Sequence, residues 1–166
     1  MWLERKFKEQ IDSHRAFVEK FIAPAVDAIE ETTIMPLDIV AALGAHGYLG
    51  CLVPAAAGGK GLSYVDFGFA VAGLSAESSS IRNLLTVHNM VAASIYRWGS
   101  TAVKERWLTA VATGKAIGAL ALTEAASGSD FDMIDSTVSR RGGYLELCGT
   151  KTWISCGLIA DVFLVF

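Results

Sequence analysis

Hydrophobic residues change their spacing along this chain near residue 115. Before that point apolar side chains recur every three to four positions, which places them on one face of an α-helix. Beyond it they alternate with polar residues or form short apolar runs, as they do in β-strands. The pattern predicts an α+β protein, with a helical bundle in residues 1–115 and the first strands of a β domain in residues 116–166.

The predicted helices differ in how their apolar residues are distributed. The first is amphipathic, with a stripe that includes Leu3, Phe7 and Phe17, and it is kinked at Pro24. The helix at residues 84–98 is apolar on nearly all sides, which is typical of a helix buried inside a bundle. The first four predicted helices are residues 3–29, 37–45, 64–77 and 84–98, and the last runs from Ser100 or Thr101 to Gly114. Ser63 and Ser100 or Thr101 are the predicted caps, and Gly47, Gly99 and Gly114 the predicted ends. Tyr64, Val103 and Trp107 are predicted to face the core.

The second part of the chain is predicted to consist of short strands joined by tight turns. Residues 117–122 have the length and flanks of a buried strand, and Arg141-Gly-Gly143 is typical of a hairpin turn. The predicted strands are residues 117–122, 136–139, 144–148, 151–154 and 162–166. The last is an apolar run without a polar exit, so we expect it to belong to the front part of a longer protein.

Composition raises the question of a membrane segment. Hydrophobic residues make up 52% of the 166 residues, and the mean hydropathy is +0.42. The best candidate, residues 39–59, carries no Asp, Glu, Lys or Arg, yet its glycines, Pro54 and His46 interrupt any continuous helix. We therefore expect no membrane span and attribute the apolarity to surfaces buried against parts of the protein outside this chain.

Charge and cysteine content argue against further classes of protein. The net charge is −3 and no run of Lys or Arg forms a stripe, so nucleic acid is not an expected partner. Cys51, Cys148 and Cys156 form no C-x-x-C pair, and neither zinc nor a disulfide framework is indicated. The N-terminus lacks the pattern of a secretory signal, which makes the cytoplasm the expected location.

Two isolated features invite a functional interpretation that their surroundings do not support. His88 lies in the apolar helix without an acidic or nucleophilic neighbour, so we predict a hydrogen-bonded core residue rather than a catalyst. Lys60 lies among glycines, but the spacing of a phosphate-binding loop is not met. Residues 55–62 are therefore predicted to be a tight connection between helices.

Residues suited to chemistry are concentrated between Gly118 and Asp161. The strand at residues 117–122 leads into a loop of small hydroxyl residues and glycine, and such a loop exposes backbone N–H groups to a flat ligand. If residues 151–154 form a strand that continues, Trp153 and Ser155 are two positions apart and share one face. An aromatic ring beside a hydroxyl donor suits a planar, partly polar cofactor such as a flavin.

Two segments of this stretch resemble the signatures of a known family. Leu122-Thr-Glu-Ala-Ala-Ser-Gly-Ser-Asp130 and Gly149-Thr-Lys-Thr-Trp-Ile-Ser155 are similar to T-E-P-x-A-G-S-D and G-x-K-x-W-I-[TS] of the acyl-CoA dehydrogenases. The resemblance extends from Phe21 onward. It implies an N-terminal helical domain followed by the start of a β-barrel-like middle domain, with the family's C-terminal helical domain absent from this sequence.

The resemblance also implies roles for individual residues. FAD would lie along the loop, with Leu122 and Thr123 at the edge of the isoalloxazine and Trp153 packed against the ring system. Ser155 would donate toward flavin N5, where a hydride arrives, and Ser129 would lie between the cofactor and the substrate. The implied cofactor-binding residues are Leu120, Leu122, Thr123, Gly128, Ser129, Trp153, Ile154 and Ser155, and the implied substrate-binding residue is Ser129.

The chain departs from the family pattern inside the first motif. Ala125 stands where the family has proline, which removes a fixed φ from the loop, and Ser127 stands where Ala or Gly is common. Glu124 is a tempting base, but in the family the base is a carboxylate of the C-terminal domain. We therefore predict a structural role for Glu124 and no catalytic residue in this chain, so these residues alone should not turn over substrate.

The implied activity is FAD-dependent dehydrogenation of an acyl thioester, in which a base removes the α-proton and hydride passes to flavin N5. A finer similarity, in residues 81–91 and 157–166, is to members that oxidise acyl groups on an acyl carrier protein in polyketide or nonribosomal-peptide biosynthesis, so CoA and a carrier protein both remain open. Electrons would pass to a flavoprotein or oxygen, and the family implies a homodimer or homotetramer. The alternatives are a non-catalytic or partial flavin-binding module that needs a partner chain, and a structural helical domain whose motifs are relics.

Overall fold

The computed structural model describes residues 2–166, with the backbone alone for residues 2–4 and 6. Helices dominate up to residue 112 and strands follow, so the α+β class is confirmed. The helices are α1 Trp2–Asp12, α2 Arg15–Phe17, α3 Val26–Thr32, α4 Leu37–Ala45, α5 Tyr64–Leu74, α6 Ser79–Trp98, α7 Thr101–Val103 and α8 Thr109–Ala112. The strands are β1 Gly118–Ala121, β2 Thr137–Arg141, β3 Tyr144–Cys148 and β4 Val162–Val165.

Helix α6 is the central element of the fold. Its first half contributes Ile81, Leu84 and Leu85 to one buried cluster, and its second half contributes Val91 and Ala92 to another. The helix begins five residues before the predicted start, because the Ser78 hydroxyl accepts a hydrogen bond from the Ile81 N–H and caps it.

The prediction that α6 is buried on all sides is wrong. Met90, Tyr96 and Trp98 are exposed, and Trp98 is 76% accessible. They lie on the face of α6 that the other helices leave uncovered, which is where a groove described below is found.

The predicted first helix, residues 3–29, is interrupted more often than its periodicity indicates. A turn at Ser13 and His14 separates α1 from α2, and the helical run then passes through a π-helical turn at Val18–Ile22 and a 3₁₀ turn at Ala23–Ala25 around Pro24. Phe17 is buried as predicted, whereas Phe7 is 49% exposed and packs edge-on against Phe69. The predicted inward side chain of Leu3 lies outside the described residues.

Several local predictions about caps and turns are confirmed, and two side chains are corrected. Helix α4 has its predicted bounds, and Ser63 and Ser100 cap α5 and α7 through their hydroxyls. Tyr64 and Val103 are exposed rather than inward, because each lies in the first turn of its helix, beyond the edge of the core. Trp107 is partly buried against the second cluster.

Residues 55–62 form the tight connection between helices that the sequence predicts, and backbone hydrogen bonds tie them to residues 50–54. Lys60 N–H and Gly61 N–H return to the carbonyls of Gly50 and Val53, at 2.8 Å each. A Cβ at Gly59 would be 2.1 Å from the Val53 oxygen, so only glycine fits this close approach. The Lys60 ammonium lies 4.2 Å above the ring of Tyr48, which is a cation–π contact rather than a phosphate-binding arrangement.

The strands pair in two separate ladders. Strands β2 and β3 form the predicted hairpin, and Gly142 and Gly143 both have positive φ, as a tight hairpin turn requires. Strands β1 and β4 are parallel neighbours with Gly118 opposite Val162. The predicted strand at residues 151–154 is wrong, because Trp153 has a left-handed backbone with φ 57°.

His88 attaches β1 to the helical bundle. This fully buried side chain bonds the Val111 carbonyl through Nε2, at 2.9 Å, and accepts from the Gly118 N–H through Nδ1, at 3.1 Å. Burial lowers the pKa of His88, which keeps the ring neutral. The prediction of a hydrogen-bonded core histidine is therefore confirmed.

Close packing and a carboxylate hold the same strand from other directions. A Cβ at Gly118 would lie 2.7 Å from Val91, so the strand backbone packs directly on α6. Asp161 accepts from the Ile117 N–H at 2.8 Å and thereby joins the starts of β1 and β4. Across residues 2–166, none of the helices is both long enough and apolar enough to cross a membrane.

Candidate functional site

One backbone hydrogen bond brings the two sequence motifs together. The Thr152 N–H donates to the Thr123 carbonyl at 2.8 Å, just beyond the end of β1. The Lys151 ammonium donates to the neighbouring Leu122 carbonyl at 3.0 Å. The segment that follows β1 therefore lies directly beside the segment that precedes Trp153, although the two are far apart in sequence.

Most side-chain hydrogen bonds at this junction are accepted by Glu124. Its carboxylate is buried and accepts from the Lys151 ammonium at 2.7 Å, from the Asp135 and Ser136 N–H groups at 2.7 and 3.0 Å, and from the Ser136 hydroxyl. The Lys151 ammonium, with help from Ser136 and Asp135, lowers the pKa of Glu124 to about 2. A carboxylate held by this many donors is a poor base and a strong structural tie, as the sequence analysis predicts.

The loop after Glu124 is closed on itself by its own backbone. Glu124 N–H donates to the Ser127 carbonyl at 2.9 Å, and Ser127 N–H returns to the Glu124 carbonyl at 3.2 Å. The buried Ser127 hydroxyl donates to the Asp130 carbonyl at 2.6 Å. Ser127, which stands where the family has Ala or Gly, thus adds a hydrogen bond across the loop.

Small residues at the tip of this loop are open to solvent. Gly128 and Ser129 are exposed, and a Cβ built at Gly128 would meet no atom within 4 Å. Nothing in the described part of the chain therefore requires glycine at position 128 for packing, and the φ of Gly128 is not positive.

The second motif is a series of turns rather than a strand. Trp153 and Cys156 both have left-handed backbones, with φ of 57° and 59°, and Gly157 N–H returns to the Ile154 carbonyl at 3.0 Å. Trp153 is 91% exposed, and a left-handed backbone is costly for a bulky residue. Trp153 and Ser155 consequently do not share one face of a strand.

Ile154 and Ser155 line a cavity of about 250 Å³ between the second motif, the end of α3 and the start of α6. Thr33, which also has a left-handed backbone, and Asn83 contribute polar groups to its wall. Leu120 and Leu122 do not line this cavity. Ile154 also lines a cavity of about 330 Å³ together with Ala121 and Lys151, so the second motif borders the end of β1 as well as the cavity beside α6.

Leu120 and Leu122 face an apolar groove on the other side of β1. The groove encloses a cavity of about 520 Å³, and its floor is the exposed face of α6. The parallel partner β4 contributes Leu164, with Phe166 just beyond it. The remaining lining residues are Leu52, Tyr64, Met90, Ala93, Ser94, Arg97, Trp98, Phe131 and Ile134.

Several residues at this site are absent from the sequence prediction. Lys151 lies within the second motif, yet no local signal shows that its charge meets Glu124. Asp161 follows no motif spacing, although it ties the two parallel strands. The groove residues on α5 and α6 appear in the sequence as ordinary helix faces, because their proximity to β1 depends on tertiary packing.

The chain matches the family model of the acyl-CoA dehydrogenase N-terminal domain over residues 5–115. It therefore belongs to the acyl-CoA dehydrogenase family. Among curated relatives, an acyl-CoA dehydrogenase of Bacillus subtilis (strain 168) is 34% identical over 153 residues, which is 92% of this chain and 40% of that protein. The chain thus spans about two fifths or less of the length of the curated relatives it matches.

Solved structures agree with this assignment. The crystal structure of a glutaryl-CoA dehydrogenase from Mycobacterium smegmatis in complex with FADH2 aligns with a TM-score of 0.89 and 33% identity, over 96% of this chain and 42% of that one. A chain from the structure of the electron transferring flavoprotein of Acidaminococcus fermentans aligns with a TM-score of 0.86 and 29% identity, again over 96% of this chain and 42% of that one.

Proposed function

We propose that the natural protein containing this chain is an FAD-dependent dehydrogenase of acyl thioesters. In this proposal residues 1–115 form its N-terminal helical domain and residues 116–166 the start of its middle β domain. The observation that carries it is the bond between Thr152 and Thr123, because it unites an open loop with an exposed aromatic ring at the end of a buried strand. The family of the chain and the FADH2 complex of one relative support the same chemistry.

The residues of the junction fit a flavin. The exposed loop tip at Gly128 and Ser129 offers backbone donors, and the exposed indole of Trp153 offers a flat apolar surface. The Thr152 hydroxyl, between the two motifs, is buried without a hydrogen-bond partner among the described side chains. An unpaired buried hydroxyl is costly, and a polar ligand at the junction would remove that cost.

FAD bound at this junction supplies an acceptor for the hydride that leaves the β-carbon of the acyl group. The chain's own residues hold and surround it. In this proposal Leu120 and Leu122 would exclude water from one edge of the site, Trp153 would offer its ring to the flavin, and Ser155 would supply a hydrogen-bond donor. Glu124 and Lys151 fix the loop, and the base comes from outside these residues.

Carrier, electron acceptor and assembly are parts of the same proposal. The thioester is carried by CoA or by an acyl carrier protein, since both present the same phosphopantetheine arm. A flavoprotein is our first choice of electron acceptor, with oxygen as the alternative, because one solved relative comes from the structure of an electron transferring flavoprotein. We propose a homodimer or homotetramer and a cytoplasmic location.

The proposal is tested with protein expressed from its full-length gene. We expect a flavin absorbance band that is bleached by one class of short acyl thioester, CoA or carrier-protein bound. Trp153→Ala should weaken FAD binding by about tenfold or more, since it removes an aromatic packing partner. Tyr144→Ala is the matched control, because Tyr144 is an aromatic residue of β3 that is 61% exposed, and its loss should leave FAD binding unchanged.

Three results would count against the proposal. A colourless protein that takes up no added FAD would favour a non-catalytic partner. A flavoprotein that no acyl thioester bleaches would support the proposed cofactor but refute the proposed dehydrogenation. Equal effects of Trp153→Ala and Tyr144→Ala on FAD affinity would show that Trp153 is not part of the cofactor site.

A further inference from the structure

The salt bridge between Lys151 and Glu124 is almost closed to water. The two side chains are 10% and 8% exposed, and the Lys151 ammonium lies 2.7 Å from a carboxylate oxygen of Glu124. Taking both charges out of water costs about as much as their attraction returns, so a buried pair of this kind is weak evidence for stability. The groups that the pair contacts beyond itself are therefore the better guide to its role.

Lys151 also binds one peptide group of the first motif. Its ammonium donates to the Leu122 carbonyl at 3.0 Å. The same peptide group carries the N–H of half-buried Thr123, and this N–H has no hydrogen-bond partner in the part of the chain that the structure describes. A cation on the carbonyl oxygen polarises the peptide group and makes its N–H a stronger donor. The Thr123 N–H is thus a strengthened donor that is available to a ligand at the junction.

Glu124 balances the charge of Lys151 without depending on it for position. Its carboxylate has three further donors, which are the Asp135 N–H, the Ser136 N–H and the Ser136 hydroxyl. These bonds remain if the ammonium is removed, so the carboxylate stays in place and keeps its charge. The other acids of this loop, Asp130 and Asp135, are exposed, and water screens them. The poorly screened charge beside the polarised peptide group therefore sums to zero only while both members of the pair are present.

We propose that Lys151 is a positioning residue that, balanced by Glu124, sets the reduction potential of the bound flavin, an inference that rests on the proposed function. Hydride transfer to the flavin adds one negative charge to it. A poorly screened ammonium favours that added charge, and a poorly screened carboxylate opposes it. The wild-type pair thus holds the potential between the values that either charge alone would give.

Removing the two charges one at a time should move the potential in opposite directions. Lys151→Met leaves the carboxylate alone and should favour the oxidised flavin, whereas Glu124→Gln leaves the ammonium alone and should favour the reduced flavin. At an effective dielectric constant of about 20, one unpaired charge acting over about 10 Å changes an affinity about tenfold. We therefore expect the ratio of the affinities for the two redox states to change about tenfold in each variant, which is about 30 mV for a two-electron couple. The double variant should lie within about threefold of the wild-type ratio, since no unpaired charge remains.

The potential is measured on the full-length protein loaded with FAD, by anaerobic reductive titration against a reference dye, and the measurement needs no acyl thioester. Lys151→Arg keeps the cation and should keep the wild-type potential. Arg141→Met and Glu146→Gln are the matched controls, because they remove the charges of an exposed salt bridge one at a time. Water screens that pair, so neither variant should shift the potential.

The sign of the two shifts separates an electrostatic role from a structural one. Shifts of the same sign in Lys151→Met and Glu124→Gln would make the pair a structural tie and refute the inference, as would equal shifts in the exposed pair. Unchanged potentials in a flavoprotein that a thioester bleaches would refute the inference and leave the proposed dehydrogenation standing. Opposite shifts in a flavoprotein that no thioester bleaches would support the inference and refute the reaction. A full-length protein that takes up no FAD would overturn both.

Discussion

His88 allows a quantitative test of how the strand segment is attached to the helices. Replacement by leucine fills the site with an apolar side chain of similar size and leaves the Gly118 N–H without its partner, whereas the Val111 carbonyl still accepts from the Gly114 N–H at 3.1 Å. A buried backbone group without a partner costs about 1–3 kcal/mol, so the loss at Gly118 should lower the free energy of unfolding by about 1–3 kcal/mol. This is a large share of a typical stability of about 5–15 kcal/mol.

The pH dependence of the same residue follows from its lowered pKa. The unfolded chain takes up a proton on His88 near pH 6.5, whereas the folded protein does so only at lower pH. Between those two values the unfolded state binds more protons, so stability falls as the pH falls below about 6.5, by up to about 1.4 kcal/mol per pH unit. Above pH 6.5 this residue adds no slope.

The assay is urea unfolding followed by far-ultraviolet circular dichroism, at pH values from 7.5 down to 5. Burial also lowers the pKa of His14, so both histidines contribute to the pH dependence of the unfolding free energy. Position 88 cannot titrate in His88→Gln, so the difference in pH dependence between this variant and the wild type gives the contribution of His88. The reasoning is wrong if His88→Leu unfolds within about 0.5 kcal/mol of the wild type, a change ordinary for surface sites. It is also wrong if the unfolding free energy of His88→Gln falls below about pH 6.5 as steeply as that of the wild type.

Two further predictions concern strand packing and the junction between the motifs. Gly118→Ala should lower the free energy of unfolding in urea by about 1–3 kcal/mol, because its new Cβ would meet the Val91 side chain at 2.7 Å. The pKa of Glu124 is lowered to about 2 from an ordinary value of 4.5, so its stabilising ties are complete above pH 4.5 and are lost as the pH falls toward 2. The protection factors of the amides in residues 122–136, which correct for the intrinsic pH dependence of hydrogen exchange, should accordingly fall within that window, and Glu124→Gln should lower them already at pH 7.

Each of these predictions has a control within the chain. Gly128→Ala places its Cβ in open space and should leave the free energy of unfolding unchanged. If Gly118→Ala and Gly128→Ala lower it equally, the packing of Gly118 against Val91 is not the cause. The exposed salt bridge between Arg141 and Glu146 is the control for the buried salt bridge between Lys151 and Glu124. Glu146→Gln should change stability by less than about 1 kcal/mol and leave the exchange of residues 122–136 unaltered.

Helix ends were predictable where one residue decides them. Ser63 and Ser100 cap helices through a hydroxyl bond to an N–H three residues ahead, so the signal lies within a single turn. The start of α6 was missed because three consecutive serines each have the same local preference, and only the fold selects Ser78. The first helix was overextended because its apolar period continues through the breaks.

The candidate site was predictable as a pair of segments but not as a geometry. Lys-Thr-Trp-Ile has the composition of a strand, yet the Thr152 N–H bonds to Thr123 and Trp153 turns into the left-handed region. Both events depend on contacts with the distant first motif, which no local pattern encodes. The pairing of Lys151 with Glu124 and the groove behind Tyr64 are non-local for the same reason.

The parallel pairing of β1 with β4 has a consequence for the order in which the chain folds. A parallel pair cannot be joined by a tight turn, and here the connection is residues 122–161, which contain both motifs and the β2–β3 hairpin. During synthesis β1 can dock on α6 as soon as it emerges, whereas its open edge waits until Val162–Val165 is made. The motif-bearing segment is therefore closed into a loop only after the helical part has had time to form. Ribosome pausing within residues 122–161 would prolong the life of an intermediate with an unpaired strand edge, the kind of species on which chaperones act.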